Sequence, residues 1–309
     1  MSTINRRLSR RELLAGAAAM TGAPAEAANA KYYPRLVSNT YIWVQQIQKT
    51  GKSPAEVWSE AFPTVQRAGY HRVELMAPSL RPPLVDLTIS LLKKHDLQLN
   101  DIYNGLSIYE PEAARKSLEE SLRVADTARS IGTRVFLADL NPKRKGERKS
   151  DEELANEAKY LNDFGKQLQS RGMDLYLHNH DDPMRDGARE WRYVLHNTDP
   201  RLVSFCLDMD WAWNGGEDPF PLLNDCSDRL RMLHLRTQRN KVWTEALEDG
   251  GDIDWRKVAA HLKKIKFDGC LVVELAHRPN TTVTRSVEEN IRMSRLWAEK
   301  VFGLTPAQV

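Results

Sequence analysis

The chain has 309 residues, 41% of them hydrophobic and 28% charged, which is ordinary globular composition with ample length for a large buried core. Its net charge is +3, and residues 1–30 hold +2 of it, with four arginines against two glutamates. The nearly neutral remainder excludes a strongly basic nucleic-acid face, and three cysteines, an odd number, exclude a disulfide framework.

Residues 1–30 read as an export signal outside the fold. Arg10-Arg11 precede a short apolar run from Leu13 to Met20, and Ala28-Asn29-Ala30 is a small-residue cleavage site. The adjacent arginines resemble a twin-arginine signal, which implies the twin-arginine export machinery as a partner and a periplasmic or otherwise exported location. Such systems carry folded proteins, so a metal would be inserted before export. The apolar run is too short for stable membrane insertion.

From Lys31 onward, β-rich runs alternate with helical patterns. Strands are expected near 36–43, 71–76, 98–103, 133–139, 173–179, 203–209, 230–236 and 270–275. The first helical pattern runs from Pro54 to Ala68, with Ser53 as N-cap ahead of a proline at the first helical position. Others run from Pro83 to His95, Pro111 to Ile131, Asp151 to Arg171, Asp254 to Lys266 and Val283 to Phe302. Several stop at a glycine, namely Gly69, Gly132, Gly172 and Gly303. Eight strand–helix repeats argue for a closed parallel barrel, a single (β/α)8 TIM barrel domain over residues 31–309, with a doubly wound sheet as the alternative. Cys206 and Cys270 fall inside expected strands as buried thiols, and a disulfide from Cys226 has little support. The basic run from Lys143 to Lys149 reads as a solvated loop, or more sharply as a substrate lid.

Four of these strands end on residue types that bind metals. They are Leu175-Tyr176-Leu177-His178-Asn179-His180, Val203 to Asp208, Leu230 to His234 and Cys270 to Glu274. The intervals between His178, Asp208, His234 and Glu274 are 30, 26 and 40 residues, about one strand-loop-helix-loop unit each. Ligands at the ends of successive parallel strands converge on one point, and in a barrel of this kind the active site lies at those ends. Two imidazoles with two carboxylates suit Mn²⁺, Co²⁺, Fe²⁺ or Zn²⁺ better than Ca²⁺, with Mg²⁺ also in range. Residues two apart share a strand face, so His178 or His180, and Asp208 or Asp210, compete for each position. Those closer to the strand body, His178 and Asp208, are the better ligands. His180 is then a neighbouring acid/base or substrate contact, and Asp210 a substrate contact.

Other candidates sit at the same mouth. Glu74 ends the second strand and would bind a sugar hydroxyl, act as a base, or simply cap the barrel. Asn39, Tyr41 and Trp43 on strand one, Asn104 after strand three and Asp139 after strand four follow. Trp211 and Trp213 would wall a sugar ring or pack internally.

At these residues the chain resembles the sugar phosphate isomerase/epimerase superfamily, the xylose isomerase-like TIM barrels. The resemblance rests on the Glu74 segment, Leu177-His178-Asn179-His180-Asp181, Leu207-Asp208-Met209-Asp210-Trp211 with Gly215-Gly216-Glu217-Asp218-Pro219, His234-Leu235-Arg236, Gly251-Asp252-Ile253-Asp254-Trp255 and Val273-Glu274-Leu275. It covers nearly all of residues 35–302, and the order and spacing of the motifs carry it. It implies one divalent metal held from strands five to eight by Glu, Asp, His and Glu, which fall here on His178, Asp208, His234 and Glu274. Two departures matter. His178 replaces a glutamate, which removes one of the two carboxylates that exchange protons on opposite substrate faces in the epimerases. The usual His-x-Lys-Asp is His234-Leu235-Arg236-Thr237, which leaves Arg236 to grip a carboxylate or keto oxygen. His234-Leu235-Arg236 and His180-Asp181-Asp182-Pro183 are also locally similar to mannonate dehydratase.

The expected chemistry is proton abstraction α to the carbonyl of a sugar, keto-sugar or glycoside by His180 or Glu274, through a metal-stabilised enediolate. Reprotonation gives an isomerase or epimerase; loss of a β-substituent gives a dehydratase or lyase. An exported sugar-binding barrel without catalysis is the alternative from another class. An abasic-site endonuclease of similar fold would need more ligands and a basic face.

Overall fold

The computed structural model describes residues 31–144 and 147–309. The expected export signal, residues 1–30, lies outside the described residues.

Eight strands form the barrel: β1 (Arg35–Asn39), β2 (Arg72–Met76), β3 (Gln98–Leu106), β4 (Val135–Leu140), β5 (Asp174–Leu177), β6 (Val203–Asp208), β7 (Leu230–Leu235) and β8 (Cys270–Val273). Every neighbouring pair is parallel, and β1 pairs with both β2 and β8, which closes the sheet. The fold is a single (β/α)8 TIM barrel, as the strand–helix alternation implies. A short antiparallel ribbon, Gln238–Arg239 with Val242–Trp243, follows β7.

The strand pattern separates two apolar layers. Val37, Leu137, Cys206, Met232, Cys270 and Val272 form one buried cluster, with Tyr103 and Tyr176 against it. Their strand neighbours Leu36, Leu207, Leu233 and Leu271 belong to a second cluster shared with the helices. The first cluster is the filling of the barrel, because alternate residues of a strand point to opposite faces. Two residues further along those strands the same inward face turns polar: Asn39, Asp139, His178, Asp208, His234 and Glu274, all buried. The apolar filling closes the lower barrel, and the polar layer above it is the floor of the mouth.

The outer helices are α1 (Tyr41–Thr50), α2 (Pro54–Arg67), α3 (Val85–Lys94), α4 (Pro111–Ser130), α5 (Asp151–Ser170), α6 (Arg185–Asn197), α7 (Met209–Gly215), α8 (Pro219–Asp225), α9 (Trp255–Lys264) and α10 (Val287–Phe302). Ser53 caps α2 as expected: its hydroxyl accepts from Glu56 N, and the Glu56 carboxylate accepts from Ser53 N. Ser150 and Glu153 repeat that box at α5. Gly132 and Gly303 end α4 and α10 with φ of 101° and 68°, a conformation that favours glycine.

Three expectations need correction. Strand one stops at Asn39 instead of running to 43, and Tyr41 and Trp43 lie in α1. Asn39 Oδ1 accepts from Tyr41 N and Thr40 Oγ1 donates to Glu74 O, so side chains turn the backbone where β-prone composition predicted extension. Helix α6 was not foreseen, because it begins in a charged segment with Asp186, Gly187 and Ala188 in left-handed backbone. Burial of Trp191, Val194 and Leu195 against the barrel stabilises it. Lys149 is not solvated: its ammonium is buried against Glu157 at 2.7 Å and Glu190 at 3.1 Å, which anchors that end of the basic run. Cys206, Cys226 and Cys270 are free, buried thiols. Among the described residues no helix is long and apolar enough to cross a membrane.

Candidate active site

The barrel ends bring four side chains to one point. His178, Asp208, His234 and Glu274 each offer a donor atom, and these atoms lie within 4.8 Å of one another. His178 extends β5 by one residue, its N–H bonded to Ala138 O at 2.7 Å. Asp208 closes β6 and also caps α7, with Oδ1 accepting from Trp211 N at 3.0 Å. That double duty fixes its χ angles and leaves Oδ2 toward the cluster, 3.7 Å from His178 Nε2. His234 Nδ1 lies 2.6 Å from Glu274 Oε2.

This donor set fits a divalent cation. Ligands roughly 2.0–2.2 Å from an ion lie within about 4.4 Å of one another, close to the spread seen here. Both ring nitrogens of His178 are buried and have no hydrogen-bond partner among the described residues, which is costly unless something else engages one of them. Burial, helped by His234, holds its pKa down, so the neutral ring keeps a free lone pair. His234 presents Nδ1 to the cluster, while Nε2 faces Glu74 Oε2 at 3.1 Å. A carboxylate behind an imidazole in this way fixes the ring of a metal ligand and raises its basicity.

Arg236 crosses the cluster from β7. Its Nε donates to Asp208 Oδ2 at 2.8 Å, and its Nη2 pairs with Glu274 Oε1 at 2.5 Å. Burial alone would raise the pKa of both carboxyls; the Arg236 charge, joined by His178 at Asp208 and by His234 and His178 at Glu274, outweighs it and holds both below the usual carboxylate range. Both acids are therefore ionised.

The other sequence candidates divide by position. His180 faces the cavity, with Nδ1 2.9 Å from Asp139 Oδ2; burial opposes its protonation, but Asp139 raises its pKa. Trp211 and Arg236 line the cavity. Glu74 does not reach the cavity and lies fully buried behind His234, also hydrogen-bonded by Asn39 Nδ2. Asn104 is turned outward and donates to Ser121 Oγ on α4 at 2.9 Å. Asp210 is buried outside the cavity with neither carboxyl oxygen partnered, and burial beside Asp208 pushes its pKa well up.

The cavity at the mouth has a volume of about 400 Å³, of the order of small-molecule pockets. Sequence reasoning missed Tyr103, Trp243, His277 and Arg278 in its wall. Tyr103 was findable, since it lies two residues after Asp101 on the inward face of β3. Trp243 sits on the two-stranded ribbon, and His277 and Arg278 on the loop after β8; no periodicity marks either segment.

Comparison with known proteins agrees with this architecture. The family model described as "Xylose isomerase-like TIM barrel" matches residues 62–299. An inosose dehydratase from Salmonella typhimurium is 28% identical over 147 residues, covering 42% of this chain and 49% of that protein. Over such matches the chain spans about half the length of the curated relatives. Another inosose dehydratase, from Mesomycoplasma hyopneumoniae, is 24% identical over 251 residues, 72% of this chain and 82% of that protein. A crystal structure of a D-allulose 3-epimerase from Methylomonas sp. superposes with a TM-score of 0.71 at 16% identity, covering 87% of this chain and 98% of that one.

Proposed function

The chain belongs to the xylose isomerase-like TIM barrel family, and from that premise we propose that it is a divalent-metal-dependent isomerase or epimerase acting on a sugar, keto-sugar or glycoside. One observation carries this reading: the donor atoms of His178, Asp208, His234 and Glu274 converge within 4.8 Å beside an open cavity.

His178, Asp208, His234 and Glu274 would hold Mn²⁺, Co²⁺, Fe²⁺, Zn²⁺ or Mg²⁺. The ion would polarise a substrate carbonyl and stabilise the enediolate that forms on proton loss. The protein's own groups divide the remaining work. Glu274, ionised and lining the cavity, takes the proton α to the carbonyl. His180, oriented by Asp139, exchanges a proton from the neighbouring wall. Glu74 orients His234 and touches no substrate, a different role from the base or sugar contact expected at that position. An exported location, read from residues 10–30, favours free or oxidised sugars over intracellular sugar phosphates.

A second reading is β-elimination. His178 stands where the epimerases carry a second carboxylate base, and the curated relatives are dehydratases. In that case the C–H proton passes to Glu274, the β C–O bond breaks, and His180 protonates the departing hydroxyl to water.

Elemental analysis of the purified protein, followed by incubation with keto-sugars in D₂O and NMR detection of C–H exchange, tests both readings. Stoichiometric metal with exchange supports the first, and metal with loss of water supports the second. Wild type without metal, or His234→Ala and Glu274→Ala variants with undiminished metal, would overturn the site. Metal with neither exchange nor loss of water on any keto-sugar tested would favour the non-catalytic sugar-binding barrel.

A further inference from the structure

Two arginines line the cavity, and their situations are opposite. Arg236 is neutralised by Asp208 and Glu274. Arg278 pairs with no carboxylate among the described residues, although its guanidinium lies in the cavity wall. The acid whose charge it feels, Asp181, is already bonded to Arg185 Nη2 at 2.9 Å. Burial lowers the pKa of Arg278, whereas Glu274 and Asp208 raise that of Arg236 despite its burial.

Arg278 is nonetheless held in place. Its guanidinium lies 4.3 Å from the Trp243 ring centroid and 5.0 Å from that of Trp211. The two indoles meet edge to face at 4.8 Å, and the guanidinium of Arg236 lies 4.4 Å from the Trp243 centroid. Stacking on indole keeps the planar fork ordered without consuming its N–H donors. It also covers aromatic surface on which a neutral sugar ring would stack, so Trp211 serves less as a sugar wall than as the seat of a cation.

We propose that Arg278 binds an oxyanion carried by the substrate, so that the sugar is anionic: a sugar acid or a sugar phosphate. This rests on the proposed function, since the anion would sit in the same cavity as Glu274 and His178.

Isothermal titration of the purified, metal-loaded protein with D-glucuronate, D-gluconate, glucose 6-phosphate and neutral D-glucose and D-fructose tests it, with each titration repeated on metal-stripped protein. At least one anionic probe is expected to bind about tenfold or more tighter than the neutral sugars, the scale of a charge-assisted hydrogen bond. Arg278→Gln is expected to abolish that preference, and Arg278→Lys to restore part of it. Preference for the carboxylates identifies a sugar acid; preference for glucose 6-phosphate identifies a phosphate. Equal binding of charged and neutral probes, no measurable binding of any anionic probe, or a preference surviving in Arg278→Gln overturns the proposal. Circular dichroism of both variants confirms folding. Charge preference is read independently of metal content and C–H exchange, so failure here is separable from failure of the proposed chemistry.

Discussion

Glu74 Oε2 and His234 Nε2 lie 3.1 Å apart, both fully buried, on strands 160 residues apart in sequence. This contact determines which ring nitrogen of His234 faces the cluster. It also places one carboxylate behind His234 and outside the cavity lining.

Glu74→Gln keeps the shape of that contact and removes its charge. The expected outcome is a roughly 10–100-fold weaker metal affinity, the usual cost of losing a carboxylate behind a ligating imidazole. Competition against a chelator of known affinity measures it. Unchanged affinity would show that His234 does not bind metal through the ring that Glu74 orients.

Asp139→Asn separates chemistry from metal binding. His180 keeps a hydrogen-bond acceptor but loses the adjacent negative charge. Turnover is expected to fall about 10²–10⁴-fold, the range of general acid–base catalysis, with metal content unchanged. A matching loss of metal would instead place the Asp139–His180 pair in support of the metal site.

Glu245 gives a pH-dependent stability that is independent of the metal. Its carboxylate accepts from Thr284 N, Thr284 Oγ1, Arg285 N and Asn290 Nδ2, and it pairs with Arg285 Nη2 at 2.7 Å. Burial alone would raise its pKa, but these bonds bring it down to about 2. A depressed carboxyl stabilises the fold above its unfolded pKa of about 4.3 and loses that contribution as pH falls toward about 2. Thermal melts of Glu245→Gln are expected to show a Tm a few degrees lower at pH 7, from about 2 kcal/mol of lost charged hydrogen bonds. The gap to wild type should close near pH 2–3. A gap independent of pH would rule out the carboxylate charge as its source.

Gly215→Ala tests the packing of α7, the helix that carries Trp211, against the segment from Asp181 to Met184. A Cβ there would lie 2.6 Å from Met184 Cβ and 2.8 Å from Asp181 O, and the second contact is backbone that cannot swing away. Chemical denaturation is expected to show about 1–3 kcal/mol of destabilisation, the cost of overpacking. A neutral result would mean that the chain between Asp181 and Met184 yields freely.

Much of the fold was legible because the evidence for it is local. Strand and helix runs alternate, Ser53 caps its helix, and each of His178, Asp208, His234 and Glu274 follows an apolar lumen-facing residue by two positions on its strand. A period of two places such a residue on the inward face without reference to any other strand. Helix α6 also carries a local signal, Trp191, Val194 and Leu195 at i, i+3 and i+4, but its charged start, with Asp186, Gly187 and Ala188 in left-handed backbone, breaks the pattern that would mark a helix beginning.

The sequence by itself determined the barrel and which strand ends would meet, since both follow from periodicity and spacing along one chain. Only the tertiary structure decided the roles. Asn104 and Asp210 lie near the mouth in sequence yet turn away from the cavity, and Glu74 backs His234 instead of facing the cavity. Among the described residues Arg236 pairs with carboxylates and Arg278 does not, although both are arginines close after a strand end. Pairing depends on which charges the closed barrel sets within a few ångströms, at a depth where desolvation makes an unpaired group costly. Sequence separation carries none of that information.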